Sequence, residues 1–259
     1  MDEPRPLPPG TVVWVDLATP DAAVSRAFYA TLFDWEVDEL GPEAGGYAIF
    51  TLAGMPVAGI GPTPALDVPS AWTVHIGVDD AEASAARARI AGGSVLAGPM
   101  DVLDAGRLAL VADPTGARFA LWEGWRNPGA PFAQASGHPC WAELETRDEP
   151  AAAAFYPALF GWSARTDEAP GAARYTEWML DGRPVAGMMA MPSGVPAEVP
   201  SHWLVYIAVL DCDALVARAA VHGATTLAPA MDAGPGRFAV LRDPTGAPFA
   251  AIALHRPIS

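Results

Sequence analysis

The chain repeats itself, and this repeat constrains the fold more than any other feature. The segment from Trp14 reads WVDLATPDAAVSRAFYATLFDW, and the segment from Trp141 reads WAELETRDEPAAAAFYPALFGW. Trp, Leu, Thr, Asp, Phe-Tyr, Leu-Phe and Trp recur in register at an offset of 127 residues. PVAG at Pro56 returns at Pro184, and Trp72 returns as Trp203. GRLALVADPTGARFAL from Gly106 returns as GRFAVLRDPTGAPFAA from Gly236. A period this long duplicates a whole folding unit, not a solenoid turn. The reading is two homologous domains, 1–126 and 138–259, joined by a linker at 127–137 rich in Pro and Gly.

Within each domain short strands alternate with helices. Val12–Ala18 reads as a strand, and Asp21 can cap a helix running to about Phe33. Extended runs follow near Glu36–Leu40, Tyr47–Leu52 and Val57–Ile60. Trp72–Val78 starts a second round, with an Ala-rich helix over Asp80–Ala91 that ends at Gly92-Gly93. Strands near Ser94–Val102, Leu108–Ala112 and Phe119–Glu123 complete it, the last two joined by an Asp113-Pro114-Thr115-Gly116 turn. The order is βαβββ twice per domain, an α+β arrangement with helices across one face of each sheet.

Composition excludes several functions. Fifteen basic residues against 30 acidic ones leave a net charge of −15, which repels nucleic acid and anionic membranes. Two cysteines, Cys140 and Cys212, allow neither a disulfide framework nor a Cys-rich zinc site. The Met1-Asp2-Glu3-Pro4 start is acidic and unlike a signal peptide, so the expected location is cytoplasmic. There is no GxGxxG opening a helix, no P-loop and no Gly-x-Ser-x-Gly elbow. Gly41–Gly46 reads as a flexible loop.

The paired βαβββ modules, the Phe-Tyr helix and the late DPTG turn resemble the vicinal oxygen chelate superfamily. That superfamily includes glyoxalase I, bleomycin-resistance proteins, fosfomycin-resistance enzymes and extradiol dioxygenases. The resemblance covers nearly the whole chain, twice. It is nearest to a two-domain branch often labelled hydroxylase in antibiotic pathways. It implies tandem domains, each with two modules forming a curved sheet around a concavity. It also implies where a metal would sit, and those positions can be read one by one. The first-strand position falls on Trp14 and Trp141, and the fifth-strand position on Thr73 and Leu204. The eighth-strand position falls on Ala120 and Ala250. No acid or His occurs over Met55–Pro62 or Pro184–Met191, where the fourth-strand ligand would lie. Trp, Thr, Leu and Ala cannot supply converging metal donors, so the expectation is no metal and no cofactor.

Strand alternation then sorts the side chains. Val13, Val15 and Leu17 would pack under the helix, leaving Trp14 and Asp16 on the concave face. In the second domain Cys140, Ala142 and Leu144 go to the helix side, with Trp141, Glu143 and Glu145 inward. Thr73 and His75, Leu204 and Tyr206, and Ala120 with Trp122 complete the inward set. Large aromatics, small residues and a few acids suit a flat, partly apolar ligand. The acids would suit a cationic group such as an amino sugar. Trp14 and Trp141 can equally be core plugs, and Arg107 and Arg237 can be surface ion pairs. The expected function is a metal-free protein that sequesters or presents an aromatic antibiotic or polyketide intermediate. The alternative is a metal-independent hydroxylase-like, isomerase or lyase enzyme using His75, Asp16 or Tyr206. The expected partner is an aromatic small molecule. The expected state is a monomer or homodimer, leaning to a monomer because the duplication supplies the module pairing internally.

Overall fold

The computed structural model describes residues 7–63, 68–167 and 174–255. The acidic Met1–Pro4 start lies outside them. The first half runs β1 (Val12–Thr19), α1 (Ala22–Phe33), β2 (Glu36–Glu39), β3 (Ala48–Leu52) and β4 (Met55–Pro62). It continues with β5 (Ala71–Gly77), α2 (Ala81–Ile90), β6 (Ser94–Val102), β7 (Gly106–Ala112) and β8 (Arg118–Gly124). The second half repeats this as β9 (Pro139–Thr146), α3 (Glu149–Phe160), β10 (Ser163–Asp167), β11 (Tyr175–Leu180) and β12 (Arg183–Ala190). Then come β13 (His202–Ala208), α4 (Cys212–Val221), β14 (Thr225–Ala233), β15 (Gly236–Arg242) and β16 (Pro248–Leu254). The βαβββ order read from the sequence is the observed one, four times over. The Gly41–Gly46 segment differs from its reading as a loop in holding one 3-10 turn, Pro42–Ala44, which starts on proline.

All four α-helices start the same way. Asp21, Asp80, Asp148 and Asp211 each accept a hydrogen bond from the backbone N–H three residues on, at 3.1, 2.8, 3.0 and 2.9 Å. Such a cap satisfies a donor that the first helical turn leaves bare, and is worth about 1 kcal/mol. The strands form two eight-stranded sheets, ordered β2-β3-β4-β1-β5-β8-β7-β6 and β10-β11-β12-β9-β13-β16-β15-β14. The first strand of each module is therefore central, and β6 and β14 are edges. Among the described residues no helix is long and apolar enough to cross a membrane.

Compact units and sequence repeats are different partitions of the chain. One unit joins the segment ending at Val13 with Val74–Pro131 and Ala142–Trp203. The other joins Trp14–Thr73, Phe132–Trp141 and the segment from Leu204 onward. Each unit thus combines one module from each half. Each also has its own aromatic core, built around a helix tyrosine. In one, Tyr29 stacks on Trp35 at 5.7 Å and meets Trp72 edge-on at 5.4 Å, with Phe50 and Phe249 closing the cluster. In the other, Tyr156 stacks on Trp162 at 5.6 Å and meets Trp203 edge-on at 5.6 Å, with Trp178 and Phe119 in place.

The repeated DPTG turn of one half receives the helix tyrosine of the other. Tyr29 Oη donates to Asp243 Oδ2 at 3.0 Å and accepts from Trp72 Nε1 at 3.0 Å. Tyr156 Oη donates to Asp113 Oδ2 at 2.9 Å and accepts from Trp203 Nε1 at 3.2 Å. Each aspartate spends its other oxygen on its own DPTG turn. Asp113 Oδ1 accepts from the N–H groups of Thr115 and Ala117, and Asp243 Oδ1 from those of Thr245 and Ala247. Burial of both phenols, with the carboxylate beside them, pushes their pKa well above the ordinary value, so they stay protonated donors. The 127–137 stretch is pinned as well. Ala130 N–H bonds Val13 O, Gly137 N–H bonds Ala208 O, and Trp35 Nε1 bonds Gly137 O at 2.7 Å.

Candidate functional site

A polar group on an inward strand face is built from β1, β4 and Tyr47, the residue just before β3. Val15 and Leu17 are wholly buried, as the alternation requires, and Asp16 between them is half-buried. Trp14 Nε1 donates to Asp16 Oδ1 at 2.8 Å and lies 3.1 Å from Tyr47 Oη. Tyr47 Oη donates to the same Asp16 Oδ1 at 2.5 Å. Burial, and then the Asp16 charge, raises the Tyr47 pKa, so its proton stays on the phenol. Two donors converge on one carboxylate oxygen.

A glycine makes this knot possible. β1 and β4 run parallel with Asp16 opposite Gly59. A Cβ on Gly59 would lie 1.9 Å from Tyr47 Oη and 2.0 Å from Asp16 Oδ1. The phenol and the carboxylate occupy the space that any other residue would fill. Tyr47 and Gly59 escaped the sequence reading, yet a signal existed. Both recur 128 residues on, as Tyr175 and Gly187, alongside Trp141 and Glu143, and Glu143 again stands opposite Gly187.

Each compact unit also has an inward wall of its own. On the first, His75 stands opposite Ala120 and Gly77 opposite Trp122. Leu110 and Leu108 continue these rows on β7, and Ala97 and Met100 on β6. His75 and Trp122 meet edge-on at 6.2 Å, and the Trp122 N–H is held by Asn127 O at 2.8 Å. On the second wall Tyr206 stands opposite Ala250, and Ala208 opposite Ile252. Val240 and Phe238, then Ala228 and Met231, continue those rows. Tyr206 lies 6.0 Å from Phe238. Thr73 and Trp141 keep part of their surface, whereas Trp14, Leu204 and Ala120 are buried.

One placement corrects the alternation reading. Cys140, expected on the helix side, packs with Leu204, Tyr206, Ala208, Ala250 and Ile252, and Trp141 lies against that cluster. The cause is the neighbouring backbone. Ala208 bonds both Gly137 and His138, which lays the start of β9 along β13 and sets Cys140 against Tyr206. Burial raises the Cys140 thiol to about 12, so it is an inert packing group. Arg107 and Arg237 form surface ion pairs with Asp101 and Asp213, both at 2.6 Å.

The remaining acids lie on β9. Glu143 and Glu145 are buried. Burial raises the Glu145 pKa, and His202 Nε2 lies 3.6 Å from Glu145 Oε2. His202 was not among the residues singled out from the sequence.

These side chains do not fit a divalent ion. The family-type ligand positions carry indole, methyl and isobutyl groups and the single Thr73 hydroxyl, and the gap beside Gly59 is filled by Tyr47 and Asp16. Among the described residues no three of His, Cys, Asp and Glu converge to hold a metal.

Comparison with known proteins gives a consistent picture. A family model described as a glyoxalase-like domain matches residues 12–122 and again 141–252. The anthracycline biosynthesis protein DnrV of Streptomyces peucetius is 39% identical over 262 residues, covering 95% of this chain and 94% of DnrV. A candidate glyoxylase of Mycobacterium tuberculosis, CFP32, is 39% identical over 249 residues, covering 94% of each chain. Among solved structures, the Mn(II)-bound glyoxalase from Novosphingobium aromaticivorans aligns with a TM-score of 0.63 at 15% identity. That alignment covers 96% of this chain and 85% of the glyoxalase. The 2,3-dioxygenase LapB from Pseudomonas sp. KL28 aligns at 0.64 with 12% identity, covering 96% and 95% of the two chains. At such identities the structural matches speak to fold alone.

Proposed function

Because the chain belongs to the glyoxalase-like family, with two such domains, while its ligand positions carry no metal donors, we propose that it is a metal-independent small-molecule-binding protein. Its ligand is an aromatic antibiotic or polyketide intermediate, which it sequesters or presents. The carrying observation is the Trp14–Asp16–Tyr47 knot, built around Gly59. In the same compact unit as the knot, Phe238 and Ile252 add flat and apolar surface. Similarity to a protein named for anthracycline biosynthesis supports a polycyclic aromatic ligand. Two buried free cysteines suit a reducing cytoplasm. The test is tryptophan quenching by a panel of anthracyclines and other aromatic antibiotics, before and after EDTA treatment. Saturable binding that survives EDTA is expected. No saturable binding across the panel would sink the reading.

The 2.5 Å contact of Tyr47 with Asp16 favours a second reading, a metal-independent hydroxylase-like, isomerase or lyase enzyme. An oriented carboxylate with a proton-bearing phenol beside it can serve as general base and acid. His75 and Tyr206 are the other groups able to move a proton. Turnover of an aromatic polyketide by EDTA-treated protein, abolished in Asp16→Ala or His75→Ala, would favour this reading over simple binding.

A further inference from the structure

The second half carries a polar pair with no counterpart in the first. Glu145 near the end of β9 and His202 at the start of β13 correspond to Ala18 and Ala71 in the repeat. Their Oε2 and Nε2 atoms lie 3.6 Å apart, too far for a hydrogen bond between them. The Glu145 side chain is 10% exposed, and among the described residues nothing donates a hydrogen bond to it. A part-buried carboxyl with no protein donor takes its hydrogen bonds from water or from a ligand.

The tautomer of His202 follows from its other contact. Nδ1 lies 3.0 Å from Pro200 O. A carbonyl only accepts, so Nδ1 carries the proton and the neutral ring presents the Nε2 lone pair to Glu145. Burial lowers the His202 pKa, opposed by the Pro200 bond and aided by Arg147, which favours this neutral form. Arg147 does not fill the gap itself. Its guanidinium bonds Val199 O at 2.9 Å and Pro196 O at 2.6 Å, strapping down the loop before β13. Two acceptors therefore face each other, with no donor between them among the described residues.

We infer that Glu145 and His202 form a receptor for a primary ammonium group on the ligand. An R–NH3+ group has three N–H donors, enough to bond Oε2 and Nε2 together, and its charge matches the carboxylate. A neutral hydroxyl has one donor and leaves one acceptor bare. The inference rests on the aromatic-ligand reading and deepens it, since it says which end group such a ligand carries and which half of the protein reads it.

The test uses the full chain and two kinds of probe. Benzylammonium and benzyl alcohol are titrated while the His202 imidazole is followed by NMR. A saturable shift is expected with benzylammonium alone, absent in Glu145→Gln. Daunorubicin, which carries a primary amine, is then compared with its N-acetyl form by tryptophan quenching. Acetylation and Glu145→Gln should each weaken binding about tenfold, the usual effect of losing one charge-assisted hydrogen bond. If Glu145→Gln fails to fold, His202→Asn takes its place in the daunorubicin quenching comparison. No saturable His202 shift with benzylammonium overturns the inference, whether or not daunorubicin binds. A Glu145-dependent shift with benzylammonium but no binding of any aromatic antibiotic leaves the amine receptor standing and removes the aromatic reading.

Discussion

A single missing methyl group decides whether the Trp14–Asp16–Tyr47 knot can form. Gly59→Ala would drive a Cβ into both Tyr47 Oη and Asp16 Oδ1. Overpacking of this kind costs about 1–3 kcal/mol. We expect a lower melting temperature together with weaker tryptophan quenching by aromatic ligands. An unchanged melt and unchanged titration would show that the knot has no role. The two inward tryptophans should behave differently. Trp14 is buried with its N–H committed to Asp16, so Trp14→Ala should destabilise the fold by about 3–5 kcal/mol. Trp141 keeps part of its surface, so Trp141→Ala should cost mainly ligand affinity, about 1–3 kcal/mol. Equal melting temperatures of the two variants would contradict this. Glu145 carries a pH signature. Its folded pKa is raised above the ordinary 4.5, so the folded state binds its proton more tightly and loses stability as pH rises through that window. Glu145→Gln should therefore melt higher than the parent at pH 7, with the gain shrinking as pH falls towards 4.5. Melts across this range check the sign.

At the scale of elements, the helix tyrosine and the turn aspartate form the joint. Tyr156→Phe strips a donor from Asp113 Oδ2 and an acceptor from Trp203 Nε1, both buried. The expected cost is about 1–3 kcal/mol, read by denaturant unfolding, and Tyr29→Phe should match it through Asp243. A cost near zero for both would mean that water replaces the bonds. These elements were legible in the sequence because each has a local cause. Asp before an apolar helix, Phe-Tyr on one helix face and DPTG between two strands are short-range signals, and the repeat printed each of them twice. The partner of each tyrosine was not legible, because it lies in the other half of the chain, more than two hundred residues away for Tyr29. The site divided along the same line. Trp14 and Asp16 were visible from strand alternation, whereas Tyr47 joined them only through a β3–β4 register that no local pattern fixes. Cys140 was misplaced for a related reason, since alternation takes no account of a neighbouring strand that steers the chain.

At the scale of the molecule, the compact units do not coincide with the sequence repeats. Each compact unit takes one module from each half, so neither half contains a whole aromatic core. Residues 1–131 alone would keep Tyr29, Trp35 and Phe28 but lose Asp243, the Gly137 carbonyl and Phe249. Residues 132–259 alone would keep Tyr156 and Trp162 but lose Asp113, the Gly10 carbonyl and Phe119. A buried phenol without its acceptor, a buried indole N–H without its carbonyl and a missing ring together are comparable with the whole margin of an ordinary domain, about 5–15 kcal/mol. Each half expressed alone should therefore fail to melt cooperatively as a monomer. The two co-expressed as separate chains should purify together as a one-to-one complex with a single cooperative transition. The cut falls between Pro131 and Phe132, where the chain passes from one unit to the other. A half that sediments as a monomer with its own sharp transition would show that the repeats fold alone and that their interleaved packing is secondary.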